Sequence, residues 1–130
     1  MTPAATTSQV LIVDDDLGIR RRLKDLLLQK GYTVETAATC REGIERATHA
    51  AEETPYRFAL IDVRLPDGLG LEVLKTIKKL TPGTVCLMMT GTPDEATEAA
   101  ARSAGAQEYY TKPLTIDQLV DLMGCGGYLG

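Results

Sequence analysis

The chain has 130 residues, which is the length of one domain, and its hydrophobic fraction of 44% and charged fraction of 25% are ordinary for a soluble globular protein. Its formal net charge of −4 and pI near 5.0 exclude the basic surface of a nucleic-acid-binding domain, and no apolar stretch is long enough to span a membrane. The three cysteines show no metal-ligand spacing, so we expect a reducing, cytoplasmic location.

Strand-like and helical patterns alternate along the chain after a polar, flexible leader at residues 1–9. The predicted strands are short runs rich in apolar or aromatic residues, in chain order at residues 10–13, 33–37, 58–61, 85–89 and 108–111. The predicted helices follow them in turn, at residues 17–30, 40–51, 71–80, 94–104 and 116–123. This alternation predicts an α/β domain with a doubly wound, five-stranded parallel sheet and helices on both faces.

Short polar signals predict where several of these helices begin and end. Capping boxes, in which a hydroxyl is followed three residues later by Glu or Gln, stand at residues 39–42, 92–95 and 115–118. Asp16 is expected to cap the first helix, and Gly31 and Gly105 are expected to end the first and fourth. The helix at residues 94–104 is rich in alanine, so it should bury little surface and dock weakly.

Polar side chains stand where the predicted strands end. Asp14 and Asp15 follow the first strand, and Asp62 closes the third. Thr90 closes the fourth strand and Lys112 follows the fifth. Because the carboxyl ends of parallel strands share one edge of a sheet, these groups should meet beside the first and third strands. Taken singly, Asp62 could be a turn residue, Thr90 a strand-end hydroxyl and Lys112 a solvated charge. The predicted convergence of all these groups is what indicates a functional site.

The chain resembles a response-regulator receiver domain of two-component signalling, of the chemotaxis-regulator type, from Val10 to about Met123. Four motifs carry the resemblance in order and spacing: VDDD at residues 13–16, LIDVRLPDGLG at 60–70, MMTG at 88–91 and YYTKP at 109–113. The resemblance implies the flavodoxin-like fold with strand order 2-1-3-4-5. It also implies a receiver domain over residues 10–123, followed by a glycine-rich tail or the start of a linker over residues 124–130.

The resemblance assigns a role to each acidic residue. Asp62 matches the phosphoacceptor, and Asp14 and Asp15 match the acidic pair that holds Mg²⁺ or Mn²⁺ together with Asp62 and the backbone carbonyl of Arg64. The chemistry explains the need for a cation. A carboxylate that attacks a phosphoryl group approaches another negative charge. Two such charges about 4 Å apart repel each other by roughly 4 kcal/mol at an effective dielectric of 20, and a bound cation would offset this repulsion.

The remaining motif residues match the family's signalling parts. Thr90 and Lys112 match the groups that meet the phosphoryl group, and the Lys112–Pro113 bond resembles the family's cis peptide. Thr90 and Tyr109 match the switch pair, whereas Tyr110 should point to the opposite side of the sheet. Tyr109 taken alone could equally be edge-strand packing.

The resemblance also implies partners and an output. The expected phosphodonor is a histidine kinase or a histidine phosphotransfer protein. The expected output surface is the fourth helix, fifth strand and fifth helix, which would control an output domain or partner protein or form a phosphorylation-dependent homodimer. On this interpretation the protein is a switch that assists its own phosphorylation and dephosphorylation, without being a turnover enzyme.

Three alternatives compete with the phosphorylatable receiver. A degenerate receiver would bind partners without phosphorylation, although the complete set of acids, threonine and lysine argues against it. A haloacid-dehalogenase-type phosphatase would use Asp14 as its nucleophile, but Gly18 stands where that family has Thr or Val. A nucleotide- or flavin-binding module would need a glycine-rich phosphate cradle after the first strand, where this chain has acids.

Overall fold

The computed structural model describes residues 10–115 and 117–119. Five strands form one sheet, namely β1 (Val10–Val13), β2 (Val34–Ala37), β3 (Phe58–Asp62), β4 (Val85–Thr90) and β5 (Glu108–Thr111). Every neighbouring pair is parallel, and the strands are ordered β2-β1-β3-β4-β5. The predicted sheet and its strand order 2-1-3-4-5 are therefore confirmed.

Helices follow the first four strands in chain order. They are α1 (Leu17–Gln29), α2 (Cys40–Glu52), α3 (Gly70–Leu80) and α4 (Glu95–Ser103). Residues 117–119 are helical, and the rest of the fifth helix predicted to reach residue 123 lies outside the described residues. The predicted leader at 1–9 and tail at 124–130 also lie outside them. Within the described part of the chain, no helix is long and apolar enough to cross a membrane.

Hydrophobic side chains at alternate positions of the strands form two cores, one on each face of the sheet. Leu11 and Val13 of β1 lie in the core that α2, α3 and α4 cover, whereas Val10 and Ile12 lie in the core that α1 covers. All residues of β1 and β3 are buried, because helices cover both faces of the sheet. The prediction of helices on both faces is confirmed.

Most of the predicted helix caps are found. Asp16 caps α1 by accepting from the Ile19 N–H at 3.0 Å, and Thr39 caps α2 by accepting from the Glu42 N–H at 3.1 Å. Thr115 accepts from the Gln118 N–H at 3.0 Å, which forms the third predicted box. The predicted stops at residues 31 and 105 are also found, since both glycines follow a helix end with positive φ, at 93° and 108°.

The predicted box at residues 92–95 is wrong. The cap of α4 is Asp94, whose carboxylate accepts from the Thr97 N–H and from the Thr97 hydroxyl, each at 2.8 Å. The Thr92 N–H instead donates to the Thr90 hydroxyl oxygen at 3.1 Å, in the turn after β4. A carboxylate with two donors next to the helix outcompetes the earlier threonine. As predicted, α4 buries little, since Ala101 is its only fully buried residue among those described.

Candidate functional site

The carboxyl ends of β1 and β3 bring three carboxylates together. Asp14 follows β1 and is 0% exposed, Asp62 ends β3 and is 5% exposed, and Asp15 is exposed to solvent. One oxygen from each of these side chains lies within 4.8 Å of the others. The predicted convergence of these three acids therefore exists in the fold.

Lys112 supplies the cation of the cluster from the end of β5. Its Nζ lies 2.9 Å from Asp62 Oδ2 and 2.8 Å from Asp14 Oδ2, and its side chain is only 15% exposed. One ammonium against three carboxylates leaves two carboxylate charges uncompensated within the cluster. A divalent cation would match that remaining charge.

The proximity of these groups shifts their pKa values. Burial is the largest influence on Asp14 and raises the pKa of its carboxyl, although the hydrogen bond to Lys112 acts in the opposite direction. Burial lowers the pKa of Lys112, but the hydrogen bonds and charges of Asp14 and Asp62 outweigh it and hold that pKa above its ordinary value. The lysine is therefore an ammonium at neutral pH.

Backbone N–H groups orient the two buried carboxylates, and an arginine side chain holds the backbone of one of them. Asp14 Oδ1 accepts from the Asp16 N–H at 2.9 Å, and Asp62 Oδ1 accepts from the Arg64 N–H at 3.2 Å. Arg20 of α1 donates through Nη1 to the backbone carbonyl of Asp14 at 2.9 Å. The sequence analysis did not identify Arg20, because nothing in its helical pattern distinguishes it from an arginine on a solvated helix face.

Thr90 lies at the same edge of the sheet and is 2% exposed. Its hydroxyl oxygen accepts from the Thr92 N–H at 3.1 Å, and its backbone carbonyl accepts from the Lys112 N–H at 2.8 Å. The backbone bond ties the end of β4 to the residue that supplies the ammonium. The sheet itself thus holds Thr90 at this edge, next to Lys112.

The two tyrosines of β5 point to opposite faces of the sheet, as predicted. Tyr109 packs against the core that α4 helps to cover, and Tyr110 packs against the core beneath α1. The hydroxyl of Tyr109 is buried and has no hydrogen-bond partner among the described residues. Tyr109 is therefore turned inward beneath α4.

The loop from β3 to α3 forms a small hairpin that the sequence analysis did not predict. Arg64–Leu65 and Gly68–Leu69 pair as short antiparallel strands. Gly70 closes the loop, and its N–H donates to the Val63 carbonyl at 2.8 Å. A Cβ on Gly70 would lie 1.9 Å from the Asp62 carbonyl oxygen, so only glycine fits here. The bond from Gly70 to Val63 and the close packing of Gly70 on the Asp62 carbonyl thus fix the backbone at Asp62.

The cluster has the ligand chemistry of a site for a hard divalent cation. Its side-chain ligands are carboxylate oxygens, from Asp14, Asp15 and Asp62. Mg²⁺ and Mn²⁺ prefer such oxygen ligands, and Mg²⁺ commonly takes one or two carboxylates together with waters and phosphate oxygens. Because Asp15 remains exposed, the site is open to solvent on one side. These residues therefore fit the cation that the sequence predicts.

Comparison with known proteins agrees with this geometry. The family described as "Response regulator receiver domain" matches residues 10–123 of the chain. Acid tolerance regulatory protein ActR of Rhizobium meliloti is 37% identical over 111 residues, covering 85% of this chain and 55% of that protein. Photosynthetic apparatus regulatory protein RegA of Cereibacter sphaeroides is 33% identical over 110 residues, covering 85% and 58%. The chain thus spans about half the length of these relatives.

Solved structures show the same architecture. A CheY-like response regulator receiver domain protein from Methanospirillum hungatei aligns with a TM-score of 0.81 and 35% identity over 92% of both chains. A response regulator protein from Burkholderia pseudomallei, solved with a phosphorylated aspartic acid, a calcium ion and citrate, aligns with a TM-score of 0.79 and 25% identity. That alignment covers 88% of this chain and 65% of that one. Phosphorylation and cation binding are thus recorded for that neighbour.

Proposed function

The chain belongs to the response-regulator receiver domain family, and we propose that it is a phosphorylatable switch that accepts a phosphoryl group on Asp62. The observation that carries the proposal is the position of Lys112 Nζ, within 2.9 Å of Asp62 and 2.8 Å of Asp14 beside a third carboxylate. A partly buried ammonium between carboxylates at the carboxyl edge of a parallel sheet is suited to neutralise an incoming phosphoryl group.

Asp62 is the nucleophile in this proposal. One of its carboxylate oxygens forms a bond to phosphorus as the bond from phosphorus to the imidazole nitrogen of a phosphohistidine donor breaks, and the electron pair stays on that nitrogen. Asp14 is less suited, because the phosphatase family that would use it as the nucleophile has Thr or Val where this chain has Gly18. This departure argues against the phosphatase alternative.

The other residues of the site position and neutralise. Lys112 offsets the negative charge on Asp62 and on the phosphoryl oxygens, and the Thr90 hydroxyl donates to one of those oxygens. Mg²⁺ or Mn²⁺, held by Asp14, Asp15 and Asp62, would supply the two positive charges that the cluster lacks. The Arg64 backbone carbonyl is the proposed fourth protein ligand. These assignments follow from the matching motifs and from the proximity of the groups.

The proposed output follows from Thr90 and Tyr109. A shift of Thr90 toward a phosphoryl group changes the space into which the Tyr109 ring packs beneath α4. The weakly anchored α4 then moves relative to β5, and with the fifth helix these elements form the face that controls an output partner, an output domain or a homodimer. The expected donor is a histidine kinase or a histidine phosphotransfer protein. We expect a cytoplasmic location, in keeping with the free, buried thiols of Cys40 and Cys86.

Intact-protein mass spectrometry tests the proposal. The parent, Asp62→Asn and a matched control, Asp25→Asn on the exposed side of α1, are incubated with acetyl phosphate with and without Mg²⁺. We expect one base-labile phosphoryl adduct on the parent and on Asp25→Asn, only with Mg²⁺, and none on Asp62→Asn. An adduct on Asp62→Asn would show that another residue is the nucleophile. No adduct on a folded, Mg²⁺-binding parent would support the degenerate receiver.

A further inference from the structure

The hairpin after Asp62 is attached to the start of α2 through a carboxylate. Asp67, at the hairpin tip, accepts from the Cys40 N–H through Oδ1 at 2.7 Å and from the Arg41 N–H through Oδ2 at 3.0 Å. The Cys40 thiol also donates to the Leu69 carbonyl at 3.3 Å. We call the two bonds to Asp67 the Asp67–α2 contact. Its two bonds join residues 27 and 26 positions apart in the chain.

The Asp67–α2 contact completes the cap of α2. The helix's own cap, Thr39, accepts from the Glu42 N–H at 3.1 Å, and this leaves the first two amides of α2 to find other partners. Asp67 satisfies both of them. Hydrogen bonds from Arg41 and Cys40 hold the pKa of Asp67 below its usual range, so it is a carboxylate at neutral pH, as a helix N-terminus favours.

The same contact reaches the phosphoryl site through the hairpin. Antiparallel pairing joins Arg64 to Leu69, so a displacement of the tip moves Arg64. The Arg64 N–H donates to Asp62 Oδ1 at 3.2 Å, which transmits that displacement to the proposed nucleophile. At the other end of the loop, Gly70 packs directly on the Asp62 carbonyl. Asp67 thus attaches the tip of the loop formed by residues 62–70 to α2.

We propose that Asp67 is a positioning residue for the phosphoacceptor loop, holding Asp62 and the Arg64 carbonyl where they bind the divalent cation. The inference rests on the function proposed above. Residues that orient metal ligands without touching the metal change its affinity by roughly 10- to 100-fold when they are removed. Because Asp67 acts through two steps of the hairpin, we expect an effect of about 10-fold, at the lower end of that range.

Isothermal titration with Mg²⁺ tests the proposal on the whole chain. The variants are Asp67→Ala, Asp67→Asn and, as a matched control, Thr39→Ala, which also removes a cap of α2 but takes away a hydrogen bond within that helix and none to the hairpin. We expect Asp67→Ala to bind Mg²⁺ about 10-fold more weakly than the parent. Asp67→Asn, which keeps one oxygen acceptor, should lie between them. Thr39→Ala should lower the melting temperature while leaving Mg²⁺ affinity unchanged.

Two further measurements separate positioning from other causes. Acetyl phosphate labelling of Asp67→Ala should be slow at low Mg²⁺ and should recover as Mg²⁺ is raised, whereas a general loss of structure would slow it at every Mg²⁺ concentration. Repeating the titration at high KCl screens the lost charge of Asp67, which is exposed. A positioning effect should persist in high salt, and an effect of charge alone should shrink.

Several outcomes would overturn the inference. They are parent-like Mg²⁺ affinity in Asp67→Ala, an equal loss in Thr39→Ala, or a loss that disappears in high salt. If Asp67→Ala does not fold, Asp67→Asn decides on the same criteria. A parent that neither binds Mg²⁺ nor takes up a phosphoryl group would instead reject the proposed function itself. The two failures are distinguishable, because only the second is seen in the parent.

Discussion

Replacing Tyr109 by phenylalanine should stabilise the protein. The Tyr109 hydroxyl is buried without a hydrogen-bond partner among the described residues, while its ring packs in the core beneath α4. A buried, unsatisfied polar group costs about 1–3 kcal/mol, and the substitution removes the hydroxyl but keeps the ring contacts. Because Tyr109 is only partly buried as a residue, we expect the lower end, about 1 kcal/mol, which corresponds to a rise of roughly 4 °C in melting temperature.

Urea unfolding followed by circular dichroism measures this difference, with Tyr110→Phe as the control. Tyr110 lies next to Tyr109 in β5, but it packs against the other core and has an interaction partner. Its substitution should therefore give no gain in stability. A Tyr109→Phe variant less stable than the parent would refute the reasoning, since it would mean that the hydroxyl has a partner. An equal gain in both variants would show that the effect is unrelated to the unsatisfied hydroxyl.

Three further predictions concern the site and the core. Lys112→Ala should destabilise the protein by about 3 kcal/mol in urea unfolding, because it removes the ammonium that bridges two buried carboxylates. Added Mg²⁺ should restore part of the lost stability. A variant as stable as the parent would contradict the ion-pair geometry. Gly70→Ala should cost at least about 3 kcal/mol in the same assay, because its Cβ would lie 1.9 Å from the Asp62 carbonyl, and a parent-like variant would mean that the loop yields easily. Burial raises the pKa of the Cys40 thiol to about 11 and that of Cys86 to about 12, so peptides containing them should resist iodoacetamide at neutral pH until urea is added. The folded state holds these thiol protons more tightly than the unfolded chain does. The two thiols therefore contribute fully to stability below pH 9, and this contribution should be lost as the pH rises through 11 to 12. An unfolding free energy that stays constant between pH 9 and pH 12 would contradict the assigned burial.

Local patterns in the sequence predicted much of the fold. The apolar runs ending at Asp62 and Thr90 are strands of the sheet, as their patterns predicted. The strand order 2-1-3-4-5, which is the order found, was instead implied by the resemblance to receiver domains. The cap at Thr39 was also predictable, because a capping box depends on residues only three positions apart. The error at Thr92 has a local cause as well. Two caps compete within a few residues there, and the backbone turn after β4 decides between them.

Contacts between distant segments were outside the reach of the sequence. The order of strand ends predicted that Lys112 and Asp62 would approach each other, but not that one ammonium would bridge two buried carboxylates. Nothing in the local pattern of Asp67 indicated that it would accept hydrogen bonds from the start of α2. Each of these contacts depends on the angle at which a helix or hairpin docks on the sheet.

The sequence by itself determined which elements form, their order and which polar groups end the strands, because apolar periodicity, turn residues and caps act within a few residues of one another. Tertiary structure alone decided how those groups meet. The bond from Lys112 to Asp62 spans 50 residues and that from the Cys40 N–H to Asp67 spans 27, so each exists only when the helices pack on the sheet. The physical reason is that a hydrogen bond requires its donor and acceptor to be placed within a few tenths of an ångström, whereas burial of an apolar face tolerates many arrangements.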